Sequence, residues 1–178
     1  MFINSQKAEE EAVLNLANAI CAAARTAPKA RGEDYMDTAV LTGEDKARLT
    51  EEMRRFGKGY GENGLFFIRD AANVDASIAV VLIGMRYHPR DLNEICGFCG
   101  FSDCAACSAA GAACVFTAMD LGIALGSAVA LAADHHIDNR IMFTIGKAAA
   151  NLNLLGEHKL IMGLPLSVSA KSPFFDRG

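Results

Sequence analysis

Five of the six cysteines in this 178-residue chain fall inside one short stretch, at positions 96, 99, 104, 107 and 114. The run reads Cys96-Gly97-Phe98-Cys99-Gly100-Phe101-Ser102-Asp103-Cys104-Ala105-Ala106-Cys107, with Cys114 seven residues further on. Whatever fold the chain adopts must carry this run. Thiolates are soft ligands that suit iron–sulfur clusters, zinc or copper(I). The interspersed glycines let the backbone turn tightly enough to bring several sulfurs round one centre. A competing reading is that small cysteines cluster in an Ala-rich core because they pack well there. A disulfide framework is disfavoured, because the chain is long enough to build its own core. Its first residues, Met1-Phe2-Ile3-Asn4-Ser5-Gln6-Lys7, show no hydrophobic signal segment and soon turn acidic, so a cytoplasmic location is expected.

The spacing is C-x2-C-x4-C, followed by x2-C at Cys107 or x9-C at Cys114. It is neither the compact run of small bacterial ferredoxins nor a pair of zinc knuckles, whose C-x2-C units stand a dozen or more residues apart. Cys104 and Cys107 are three apart and share one face if that segment is helical. Cys-Gly-Phe-Cys-Gly-Phe-Ser-Asp-Cys resembles the C-G-x-C-G-x-x-x-C signature of a domain that binds a [4Fe–4S] cluster in electron-transport proteins. In that domain the fourth cysteine comes well downstream, next to a proline that this chain lacks. The resemblance implies Cys96, Cys99, Cys104 and Cys114 as ligands, with Cys107 as substitute. Zinc on the same thiols, or no metal, are the alternatives.

At 178 residues a single domain is expected over 1–178, with a cysteine-rich segment at 95–115. About half the residues are apolar (52%), which excludes a disordered chain. The net charge is −4 with no Lys/Arg stripe, which argues against a nucleic-acid partner. Residues 108–133 carry one charge, Asp120, and three glycines. A buried helix over 110–121, then a turn and a second buried segment, is expected there in place of a membrane span.

Along the chain, Ser5 is placed to cap a helix whose apolar positions Val13, Leu16, Ile20 and Ala24 recur at helical spacing, and Pro28 stops it. Residues 35–41 read as a strand, and Thr42-Gly43-Glu44-Asp45 as the start of a helix. The glycine-rich stretch 57–64 contains a formal G-x-G-x-x-G but follows a helix. It is therefore expected to be a flexible loop, not a dinucleotide fingerprint, ahead of a strand at 65–68. The apolar run 77–85 suits a strand buried on both faces. Asp138 is expected to cap a helix reaching Leu155, and 159–163 to form a last short strand. Asp120 in an apolar helix needs a buried partner, and Arg140 is one candidate. His135 and His136 are expected at the surface, His88 in a turn and Cys21 in the core. No hydrolase motif is present.

Three stretches resemble the nitroreductase-like flavoprotein fold: Ala24-Arg25-Thr26-Ala27-Pro28, Asp120-Leu121-Gly122-Ile123-Ala124-Leu125-Gly126-Ser127, and Leu160-Ile161-Met162-Gly163-Leu164-Pro165 with the following Lys171 and Arg177. Joined with the cysteine segment and Ile137-Asp138-Asn139-Arg140-Ile141-Met142, the chain resembles a family of uncharacterised prokaryotic proteins described as containing a ferredoxin domain. The resemblance implies an α+β fold, a three-layer α/β/α sandwich with a cysteine-rich insert, and a homodimer. It also implies FMN, with Arg25, Thr26, Lys29, Arg31, Lys171 and Arg177 toward its phosphate and Gly126-Ser127 beside the ring. The N-terminal arginines that hold the phosphate in nitroreductases have no counterpart here, since Arg25 is the first arginine. Two functions are compatible with all this. One is a redox protein whose cluster exchanges electrons with a flavin or a partner protein. The other is a non-catalytic metal-binding module with a degenerate flavin cleft.

Overall fold

The computed structural model describes residues 1–175. Its first helix, α1 (Ser5–Thr26), is capped by Asn4, whose side chain accepts from the Lys7 amide; Ser5 itself lies inside the helix. Val13, Leu16, Ala17, Ile20 and Ala24 form its buried stripe, and Cys21 packs beside that core. A short 3-10 turn at Ala30–Gly32 leads into β1 (Met36–Leu41), followed by α2 (Gly43–Lys58). Next come α3 (Leu65–Asp75), β2 (Ala79–Met85), α4 (Cys104–Ala109) and α5 (Val115–Asp134). The chain continues through β3 (Asp138–Asn139), α6 (Phe143–Asn151) and β4 (Leu160–Ser167).

The four strands form one antiparallel sheet in the order β1-β2-β4-β3. Central β2 is buried along its whole length. Its alternating side chains serve two cores, as a strand's two-residue period requires. Ala79, Val81, Ile83 and Met85 join α1 and α5 on one face. Val80 and Leu82 join residues of α2, α3 and α6 on the other. The three-layer sandwich expected from the resemblance is therefore present.

Several local expectations are corrected. Residues 65–68 open α3; they do not form a strand. Phe67, Ala71 and Val74 are buried at helical spacing, a period that a four-residue apolar run is too short to reveal. The glycine-rich stretch before α3 is a packed corner, not a flexible loop. A Cβ on Gly64 would lie 1.9 Å from the Gly57 carbonyl oxygen, so two backbones meet there that no larger residue would admit. The helix expected over 110–121 starts at Val115 after a turn and link at 110–114, and the turn expected after it is absent: α5 runs unbroken through Gly122 and Gly126, both open to the surface. Each glycine costs a helix about 1 kcal/mol, and the surrounding Ala and Leu residues outweigh that. By length and composition α5 could cross a membrane, but its inner face packs on α1 and the sheet.

Asp138 caps no helix. It lies in β3, and α6 starts at Phe143 and ends at Asn151, short of Leu155. Strand β4 is longer than expected and passes through Pro165. Gly163 exchanges both backbone bonds with Met142, so the Pro165 nitrogen two residues on faces the same edge. There β3 is interrupted at Arg140 and Ile141, and the missing N–H has no bond to make.

Candidate metal centre

Between β2 and α5 the chain leaves the sheet and builds the cysteine segment. It opens with Arg90 and a 3-10 turn at Asn93–Ile95. Gly97 (φ 62°) and Gly100 (φ 78°) then hold left-handed conformations that a side chain would resist, which folds the Cys96–Cys99 loop back on itself. Asp103 caps α4, accepting from the Ala106 amide at 2.7 Å. That bond, with a smaller contribution from the Ser102 hydroxyl, holds the Asp103 carboxyl below its ordinary range. Cys104 and Cys107 thus share one face of α4, and Cys114 sits at the cap of α5.

All five cysteines line one cavity. Cys107 is its most buried thiol, 2% exposed, with its Sγ 3.7 Å from the Ala112 carbonyl. Burial pushes the Cys107 thiol up, and the neighbouring thiols of Cys99, Cys114 and Cys104 push it further. The Asn93 amide donates to the Cys104 sulfur at 3.3 Å. The twenty-residue helix α5 starts just after Cys114, so its positive end points toward the cavity's rim. Phe98, Phe101 and Phe116 also line the cavity, and Phe98 stacks on Phe116 with ring centroids 5.8 Å apart. All six cysteines are free thiols.

Five thiols lining one cavity are soft donors of the kind that either an iron–sulfur cluster or zinc takes. Four sulfurs on tetrahedral zinc, at about 2.3 Å each, stand within roughly 4 Å of one another. Among the described residues no three Cys, His, Asp or Glu side chains are grouped closely enough to hold a metal ion. The single point of convergence expected for the sulfurs is not seen; the five thiols share one cavity. Its closed centre measures about 20 Å³.

Arg90 lines the same cavity and was missed in the sequence. Its side chain is 1% exposed, and its Nη2 donates to the Asp120 carboxylate at 2.5 Å. Arg90, not Arg140, is therefore the buried partner of Asp120; Arg140 lies 3.9 Å from buried Asp70. The second Asp120 oxygen accepts from the Ala30 amide at 2.9 Å, tying α5 to the turn after α1. Arg90 Nη1 stands 3.5 Å from Glu33 without a hydrogen bond, and Nε has no partner among the described residues. A buried guanidinium with N–H groups to spare beside five thiols is suited to an anionic centre. The sequence signal was there: Asp120 is the single charge in an apolar stretch, and Arg90 opens the cysteine segment.

The residues implied for a flavin phosphate are already engaged. Arg25 pairs with Asp34 at 2.6 Å and Asp37 at 3.5 Å. Lys29 donates to the carbonyls of Ala24, Arg25 and Ala27, closing the end of α1, and Thr26 bonds back to Ala23. Arg31 donates to the Arg90 carbonyl at 2.8 Å. Gly126 and Ser127 lie inside α5, not in a turn. Lys171 follows β4, and Arg177 lies outside the described residues. His135 and His136 end α5 at the surface, away from the cysteines. His88 stacks on Tyr35, with centroids 4.0 Å apart.

Comparison with known proteins agrees with this architecture. The chain is similar to FMN-bound nitroreductases of Bacteroides fragilis (TM-score 0.59, 14% identity, 96% of this chain and 80% of that one) and Desulfitobacterium hafniense (0.58, 16%, 88% and 78%). It is also similar to the Vibrio harveyi NADPH:FMN oxidoreductase solved with NAD+ (0.56, 13%), of which it spans 61%. At these identities the likeness establishes a nitroreductase-like fold. An uncharacterized protein of Archaeoglobus fulgidus is 38% identical over 185 aligned residues, covering 99% of this chain and 98% of the relative. Residues 110–177, which include Cys114 and all of α5, match a family profile directly. With near-complete coverage by the archaeal relative and this match, the chain belongs to the family described as "Uncharacterized protein containing a ferredoxin domain (DUF2148)".

Proposed function

We propose that this protein is a redox protein that holds one [4Fe–4S] cluster in its cysteine segment and exchanges electrons through it. The observation that carries this reading is the single cavity shared by Cys96, Cys99, Cys104, Cys107 and Cys114 with the buried Arg90. Cys96, Cys99 and Cys104 are three ligands. Cys114, at the positive end of α5, and Cys107, facing Cys99 and Cys104 from inside, compete for the fourth place. When bound, the cluster supplies one-electron chemistry. The chain's own residues do the rest: partly buried Phe101 and Phe116 shield the thiols, the Asn93 amide holds a sulfur, and Arg90 offsets thiolate charge.

The reading extends to a cytoplasmic homodimer served by a redox partner protein. Met119 and Ile123 leave an apolar strip exposed on α5, suited to a second copy. The nitroreductase-like fold supports FMN as an electron partner, although the cations nearest the expected phosphate position have intramolecular partners. Anaerobic purification followed by iron, acid-labile sulfide and zinc analysis tests the cluster. Iron with matching sulfide supports it, whereas a colourless protein with stoichiometric zinc makes this a structural metal module.

A further inference from the structure

A cleft at the end of the sheet opens beside the cysteine centre. Its outer part, about 540 Å³, is lined by Tyr35, Arg86, Tyr87, His88, Glu157 and Lys159. A smaller cavity of about 180 Å³ continues from it past Gly111 to Cys107 and Cys114. Tyr87, His88 and Lys159 line both, so the two are one passage from the surface to the inner thiols.

Three features of this passage have no internal explanation. The last ladder pair of β2 and β4 is Met85 with Leu160, so Arg86 and Lys159, one step beyond, stand across from each other. Like charges opposed on neighbouring strands repel. Neither cation is in a salt bridge among the described residues. Each instead lies over an aromatic ring, Arg86 over Tyr35 and Lys159 over Tyr87, both at 5.9 Å. Finally, the buried Nδ1 of His88 has no hydrogen-bond partner there, although buried polar atoms nearly always find one.

We infer that this passage binds a small aromatic carboxylate, a flat ring with its charge between Arg86 and Lys159. The ring lies along Tyr87 toward the Cys107 and Cys114 side. Two cations pre-set on aromatic faces suit a planar anion, because each ring fixes its cation without neutralising it. Glu157, which lines the same cleft, repels a second negative charge and so favours monoanions. The binding site stands on its own residues; its service as the route by which small molecules reach the centre rests on the proposed function.

The test is titration of 2-naphthoate into the anaerobically purified protein, and into the same protein stripped of metal, followed by calorimetry and amide NMR. Binding with shifts at Tyr87, His88 and Gly111 is expected in both samples, so the result does not depend on metal, which the visible spectrum reads separately. Arg86→Gln and Lys159→Gln each weaken it by about tenfold, the scale of one charge-assisted hydrogen bond; Glu157→Gln tightens it. All three positions are exposed, and circular dichroism confirms that the variants remain folded. The inference is overturned if naphthoate does not bind, or if the neutral 2-naphthamide or inorganic phosphate binds equally well. Variants that bind like the parent overturn it too.

Discussion

Arg90 is the residue on which the site turns. It joins the cysteine cavity to α5 through Asp120 and reaches the turn after α1 through the bond from Ala30 to the same carboxylate. Removing one partner of a buried pair strands the other charge, at a cost of about 3–5 kcal/mol. Asp120→Asn and Arg90→Met are each expected to lower unfolding stability on that scale in urea denaturation, and Arg90→Met combined with Asp120→Leu to recover most of it. A second residue-scale prediction concerns Glu52, buried where α2 meets α6. Its bonds from Arg55, at 2.6 and 2.7 Å, and from Asn151 hold its carboxyl below the ordinary range. A depressed carboxyl stabilises the fold above its unfolded value, about 4.3, and loses that contribution as pH falls through the folded one. The stability advantage of the parent over Glu52→Gln should therefore be full at neutral pH and vanish in acid; an advantage independent of pH would refute the assignment. The cysteines were legible at this scale because five thiols in one run have few other uses. The Arg90–Asp120 pair was not, because thirty residues separate its members and nothing local joins them. Asp120 was seen to need a partner, and only the fold could choose Arg90 over Arg140.

At the scale of elements, the strongly patterned pieces were legible and the boundaries were not. The stripe of α1 and the continuous apolar run of β2 announce themselves because periodicity and burial agree. The stretch 57–68 misled because glycine was read as freedom when its use here is proximity. Gly57 and Gly64 let the end of α2 touch the start of α3. Gly64→Ala is expected to cost about 1–3 kcal/mol by overpacking, measured by thermal or chemical unfolding, where a flexible loop would tolerate it. In α5 the error ran the other way: Gly122 and Gly126 were read as breaks, yet both face open surface in a helix that tertiary packing secures.

At the scale of the whole molecule, a nitroreductase-like sandwich carries the cysteine segment between its central strand and its long helix. The exposed apolar positions of α5 are expected to hold two copies together, so Ile123→Glu should convert a dimer to a monomer in sedimentation; a parent that is already monomeric contradicts this. Phe98 (65%) and Ile95 (87%) stand exposed on the cysteine segment. The three-layer fold was legible from separated motifs taken in order. The identity of the bound group was not, because five thiols accept more than one metal. The most direct measurement is therefore iron and acid-labile sulfide per chain after anaerobic purification, in the parent and in single Cys→Ser variants. The account predicts about four of each, with broad visible absorption. Both should be lost in Cys96→Ser, Cys99→Ser and Cys104→Ser and kept in Cys21→Ser. A protein that carries stoichiometric zinc or no metal, or one whose iron survives all three changes, would contradict it.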